Sequence, residues 1–141
     1  MATLFTRIIN GELPGRFVWR DERCVAFLSI QPLRPGHTLV VPREEVDHWI
    51  DLEPELARHL ITVTQSIARA LQHGFQPKKV GVAIAGLEVP HCHIHVVPID
   101  AIRDLDFANQ NASPRPADLD CAAETIRSAL RHLGFTQVAD R

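Results

Sequence analysis

Residues 89 to 99, Val-Pro-His-Cys-His-Ile-His-Val-Val-Pro-Ile, place a histidine at every second position from 91 to 95, with apolar residues between and after them. In an extended strand, alternate side chains point to opposite faces. His91, His93 and His95 then share one face, and Cys92, Ile94 and Val96 share the other. The pattern predicts a strand over 89–99 with one face fit for a core and one that must satisfy three imidazoles. Imidazole is intermediate in burial preference, and packing alone would have to supply three sets of hydrogen-bond partners. Roots of neighbouring rings would lie roughly 6.5 to 7 Å apart, at about 3.3 Å per residue, close enough to act together on one small anion.

Two chemistries suit such a face. Neutral imidazole is a good zinc ligand, and three histidines with one open position make a catalytic metal centre. Three rings from one strand must splay strongly to converge at about 2 Å from one ion. The carboxylates that usually orient such ligands are represented nearby only by Glu88 and Asp100. The other chemistry uses one imidazole as a nucleophile toward phosphorus, because it is largely unprotonated at neutral pH and forms a labile covalent intermediate. Its neighbours then stabilise charge on the phosphoryl oxygens, orient the nucleophile and donate a proton.

The remaining chain predicts an α+β domain, an antiparallel sheet of about five strands with two main helices on one face. Residues 3 to 10 read as a short helical turn with Leu4, Phe5, Ile8 and Ile9 toward the core, broken by Asn10-Gly-Glu-Leu-Pro-Gly15. Phe17 to Arg20 and Cys24 to Ile30 read as a hairpin across Asp21-Glu-Arg23. After Pro35-Gly36, His37 heads the β-branched run His37-Thr-Leu-Val-Val-Pro42, a central strand ending at its proline. Asp51 is placed to cap a helix with Pro54 in its first turn, where Leu52, Leu56, Leu60, Val63, Ile67 and Leu71 recur at helical spacing and Gly74 supplies the stop. His48, His59 and His73 read as solvated. Val80 to Gly86 is a further strand, joined to the histidine strand by a tight link. A polar loop with Phe107 as its large anchor leads to a second amphipathic helix, from Leu119 to Leu133, closed by Gly134.

Composition excludes several function classes. A formal charge of −2 over 141 residues gives no electrostatic case for nucleic acid or an anionic membrane. Three widely spaced cysteines, Cys24, Cys92 and Cys121, form neither a disulfide framework nor a thiolate zinc knuckle. No run of about 18 apolar residues and no secretory signal is present. The expectation is a soluble cytoplasmic protein.

His91-Cys-His-Ile-His-Val-Val97 resembles the signature of the histidine-triad (HIT) nucleotide-binding family. Ile8-Ile-Asn-Gly-Glu-Leu-Pro14, Ala26-Phe-Leu-Ser-Ile-Gln-Pro32, Pro35-Gly-His-Thr-Leu-Val-Val-Pro42 and Ala85-Gly86 resemble further landmarks in family order. The similarity covers residues 3–99, so residues 1–141 are expected to form one HIT-like domain with that core and a C-terminal loop and helix over 100–141. It implies a sheet domain that dimerises through sheet and helix. It also implies hydrolysis or transfer of nucleoside monophosphates through a nucleotidyl-histidine intermediate.

Carried over by position, the resemblance makes His93 the nucleophile, His95 the contact to the scissile phosphate, and His91 and His37 the orienting residues. Phe5, Ile8, Phe27, Ile30 and Leu39 fall where the family builds its apolar nucleobase pocket. Ser29 stands where many relatives hold the ribose hydroxyls with an aspartate, and a serine hydroxyl lacks the charge-assisted pair. Leu87 and Glu88 replace a Gln-Ser or Gln-Thr pair that assists the leaving group, and Glu88 is suited to an amine leaving group such as a lysine. Thr3 to Arg7 lacks the cysteine of zinc-containing relatives, so neither metal nor cofactor is expected. The implied activity is an adenosine 5′-monophosphoramidase-like hydrolase acting as a homodimer on a purine nucleotide conjugate and releasing AMP. The alternative is a nucleotide-binding or interaction module with little catalysis.

Overall fold

Five short runs rich in β-branched and aromatic residues pair into one antiparallel sheet in a computed structural model that describes residues 1–141. They are β1 (Phe17–Arg20), β2 (Cys24–Leu28), β3 (Thr38–Pro42), β4 (Lys79–Ala83) and β5 (Ile94–Ile99), in the order β1-β2-β3-β5-β4. The order puts β3, which follows directly on His37, beside β5, which carries His95, near the middle of the sheet, with Leu39 opposite His95. The α+β expectation of an antiparallel sheet with helices holds. The histidine strand is shorter than its alternation implies, because regular pairing begins only at Ile94, and β4 ends at Ala83 instead of Gly86. Residues 84–93 form a loop with Gly86 at φ +76°, in place of a tight link.

The two faces of the sheet bury different things. Val40, Ile94 and Val96 point to one side, where α2 (Pro54–Phe75) and α3 (Pro116–His132) cover them with Leu60, Ile67, Ile126 and Leu130. Phe17, Val25, Phe27, Leu39 and Val41 point to the other, where α1 (Leu4–Ile9) brings Phe5 against them. Thr3 nucleates α1 as its N-cap, its hydroxyl oxygen accepting the Thr6 N–H. Leu4, expected in the core, is 45 % exposed, because six residues of helix turn only a narrow stripe toward the sheet.

Two helix boundaries differ from the sequence reading. Asp51 ends a short 3-10 turn, and α2 begins after Glu53 with no side-chain cap, Pro54 at its start needing none for its missing N–H. Gly74 lies inside α2, which stops one residue after it where Gln76 takes the left-handed conformation at φ 53°. The C-terminal residues return to the sheet, Ala139 N–H donating to the Val18 carbonyl and Arg20 N–H to that of Gln137, so the β1 edge is covered while the β4 edge is open. No helix is long and apolar enough to cross a membrane.

Candidate active site

Backbone groups fix what each imidazole can do. The ring of His93 donates from Nδ1 to the His91 carbonyl at 2.9 Å, since a carbonyl only accepts. A neutral ring so committed keeps a bare lone pair on Nε2. His37 accepts the Leu33 N–H on Nδ1 at 2.9 Å, so its proton sits on Nε2 and is donated to His95 Nδ1 at 2.9 Å. His95 therefore carries its own proton on Nε2. His91 donates from Nε2 to the Pro42 carbonyl and accepts on Nδ1 from the Thr3 hydroxyl, each at 2.7 Å.

Burial keeps all four rings neutral. Desolvation is the largest cause of every shift. It lowers His93 and His91 below the ordinary imidazole value, and takes His37 to about 3 and His95 to about 4 with help from the neighbouring histidines. The tautomers assigned from the backbone are thus the states present at neutral pH. A ring with a free lone pair, His93, lies edge-on to a ring with a free N–H, His95, their centroids 4.8 Å apart.

These two histidines open into a cavity of about 650 Å³, whereas His91 and His37 lie behind them. Phe5, Ile8, Phe27, Ser29, Ile30, Leu39 and Glu88 all line it. The sheet explains the apolar wall, because Phe27, Leu39 and His95 are successive cross-strand neighbours on one face. Ile30 lies past the end of β2, 69 % exposed at the rim. Ser29 accepts the Gln31 N–H at 3.2 Å, which leaves its hydroxyl proton free to donate. Glu88 is the one charged side chain in the lining, and no lysine or arginine reaches it.

Some of the surroundings escape a sequence reading. Phe107 stands edge-on to His95 with centroids 4.7 Å apart, and with Gln110 it forms the wall nearest the C-terminal segment. That wall is tied down by Gln110 donating to the Gln31 carbonyl and by Arg34 pairing with Asp100 and Asp104. Phe107 is visible in sequence only as a lone aromatic in a polar loop, and Thr3 only as a residue suited to a helix cap. Phe5 packs edge-on against His93 at 4.9 Å, so α1 is part of the site as well as part of the core.

A family model described as the HIT domain matches residues 10–102. The chain belongs to the HIT family. An uncharacterized HIT-like protein of Methanocaldococcus jannaschii is 35 % identical over 99 residues, covering 67 % of this chain and 77 % of its own. Among solved structures, a zinc-bound histidine triad family protein from Mycobacterium smegmatis superposes with a TM-score of 0.82 at 30 % identity, over 94 % of this chain and 96 % of that one. A HIT family hydrolase from Legionella pneumophila gives a TM-score of 0.59 at 25 % identity, over 68 % and 91 %. The first of these structural matches extends through the C-terminal helix, beyond the residues of the HIT model.

Proposed function

We propose that residues 1–141 act as one domain, a nucleotidyl hydrolase of the phosphoramidase type. It would release a nucleoside monophosphate, foremost AMP, through a covalent nucleotidyl-histidine on His93. The observation that carries this reading is the Nδ1 commitment of His93 to the His91 carbonyl, which aims an unprotonated Nε2 at the cavity beside the Nε2–H of His95. His93 Nε2 attacks the α-phosphorus while His95 donates to a non-bridging oxygen, where negative charge grows in the transition state. His37 holds the tautomer of His95, and His91 holds the backbone carbonyl that orients His93. The P–N bond then breaks as its nitrogen takes a proton from solvent at the cavity mouth, and the released amine takes a second proton from solvent and departs as an ammonium ion past the carboxylate of Glu88. Water attacks the phosphoryl-imidazole in the second step and frees the monophosphate. The scheme calls for no cofactor.

The apolar wall of Phe5, Ile8, Phe27, Ile30 and Leu39 suits a purine ring, with Ser29 placed for a single hydrogen bond to the sugar. A homodimer is part of the proposal, supported by the open β4 edge and by exposed Val82 on it. Replacing His93 with alanine should reduce hydrolysis of an adenosine phosphoramidate by at least about 10³-fold while AMP still binds. Rapid quenching of the wild type with labelled substrate should leave adenylate on His93. Turnover unchanged in the variant, or label on another residue, would remove the mechanism.

A further inference from the structure

On the opposite side of the sheet from the triad, three side chains of different chemistry meet with nothing in the proposed reaction to occupy them. Asp21 sits in the turn between β1 and β2, Cys24 opens β2, and His59 stands one turn into α2. One ligand atom of each, a carboxylate oxygen, Sγ and a ring nitrogen, lies within 4.8 Å of the other two. Asp21 Oδ2 is 2.8 Å from His59 Nε2 and 3.4 Å from Cys24 Sγ.

The carboxylate is built to stay put. Its Oδ1 accepts the backbone N–H groups of Arg23 and Cys24, each at 2.8 Å, and its Oδ2 accepts the indole N–H of Trp19 at 2.8 Å. A bulge between Phe17 and Trp19 turns that indole to this side of the sheet. With the thiol and His59 added, donors from five groups converge on one carboxylate, which offers about four lone-pair sites. Such crowding is relieved when the thiol proton is removed and the ring presents a lone pair. A divalent cation does both.

We propose that Asp21, Cys24 and His59 form a binding site for one divalent zinc ion, with solvent as the fourth ligand. The donor set selects the metal: thiolate and imidazole favour zinc over calcium or magnesium, and one carboxylate completes a mixed tetrahedral shell. At bond lengths of about 2.3 Å to sulfur and about 2.0 Å to nitrogen and oxygen, a tetrahedron needs roughly 3.5 Å between S and O and roughly 3.3 Å between N and O. The first separation is already present, the second requires His59 to back away from Asp21 by about 0.5 Å, and the sulfur and nitrogen, within 4.8 Å of each other, must come to roughly 3.5 Å. The His59 side chain is 35 % exposed, so the ion has a route from solvent and the helix side chain has room to shift. On binding, Cys24 loses its proton to solvent, and the His59 ring exchanges the Nε2 proton that it donates to Asp21 for one on Nδ1, so that Nε2 presents its lone pair to the ion. Two negative ligands balance the ion's charge, and the nearby Arg23 and Arg43 are engaged by Glu53 and by the Asp21 carbonyl. The Trp19 indole and the two backbone N–H groups remain as the outer contacts that orient the carboxylate. The site pins the β1–β2 turn to α2 and does not involve the segment Thr3 to Arg7, whose lack of cysteine carried the expectation of no metal.

The test loads chelator-treated full-length protein with zinc alone in competition with a chromogenic chelator, and with cobalt(II) as an optical stand-in. The expected result is one ion per chain, a thiolate-to-cobalt charge-transfer band in the near ultraviolet, and a thermal midpoint raised by zinc. His59→Gln and Cys24→Ser should each abolish the band and the thermal shift, while His93→Ala and Cys121→Ser retain both. His59 is on the helix surface, so its variant remains informative where Cys24→Ser fails to fold. Absence of the charge-transfer band would overturn the site. So would binding that survives His59→Gln, or binding lost in His93→Ala or Cys121→Ser.

Discussion

Thr3 joins the two functions of the N-terminal helix through one hydroxyl. Its oxygen accepts the Thr6 N–H as a cap, and its proton goes to His91 Nδ1, while the Thr3 N–H donates to Glu45 at 2.8 Å. His91 in turn supplies the carbonyl that sets the His93 tautomer. Thr3→Val keeps the shape and removes both the cap acceptor and the donor to His91. It should cost about 1 kcal/mol of stability and lower kcat of the proposed hydrolysis more than it raises KM. Thr3→Ser, which keeps the hydroxyl, should restore both. Denaturant titration and steady-state kinetics on the two variants check this, and a loss in Thr3→Ser with none in Thr3→Val would show that the methyl group matters instead of the hydroxyl.

At the scale of elements, the sequence was most legible where one period ran long enough to fix a face. The spacing of Leu56, Leu60, Val63, Ile67 and Leu71 places a helix where α2 lies, and all five are buried in it. The alternation of His91, His93 and His95 groups the rings although two of them stand in a loop, with Phe5 edge-on to both His91 and His93 and the ring of His93 beside that of His95. What stayed illegible depends on distant contacts. Phe107 against His95, and Asp21 against His59, are brought together by chain return and by helix packing, which leave no period behind. The end of α2 differs from the expected stop at Gly74 for a local reason. Gly74 is the residue type that favours a left-handed cap, but Gln76 takes that conformation, and a Cβ at 74 would stand 2.8 Å from the Thr125 side chain, so the glycine serves close helix packing. Gln76→Gly should therefore remove left-handed strain and stabilise the fold by about 0.5–1 kcal/mol. Thermal unfolding of the variant would read this as a rise of a few degrees, and a fall would mean that the Gln76 side chain holds the helix end.

Over the whole molecule, four imidazoles held neutral on one side of the sheet tie folding to pH. Each has its folded pKa pushed below the unfolded value of about 6.5, desolvation being the largest cause, with His37 near 3 and His95 near 4. The unfolded chain thus binds more protons than the folded one between about pH 4 and 6.5, and stability rises with pH across that window. The stabilising contribution is whole above about pH 6.5 and is lost as pH falls. Each fully titrating histidine removes about 1.4 kcal/mol per pH unit. The carboxylate of Asp21 adds a second, lower window. Burial alone would raise it, but hydrogen bonds led by that from Trp19 hold it at about 2, so its contribution is lost only below about pH 4. Urea unfolding at pH 7, 6, 5 and 4 should show the midpoint falling at constant slope m, and His37→Gln should flatten the fall even where it lowers the starting stability. A midpoint that does not move between pH 7 and 4 would mean the rings are charged in the folded protein. The same burial predicts that kcat/KM for the proposed reaction holds its plateau below pH 6.5, because a nucleophile with a depressed pKa stays unprotonated there. The acid limit of activity would then be set by loss of the fold as much as by protonation of His93, and comparing the two profiles separates these causes.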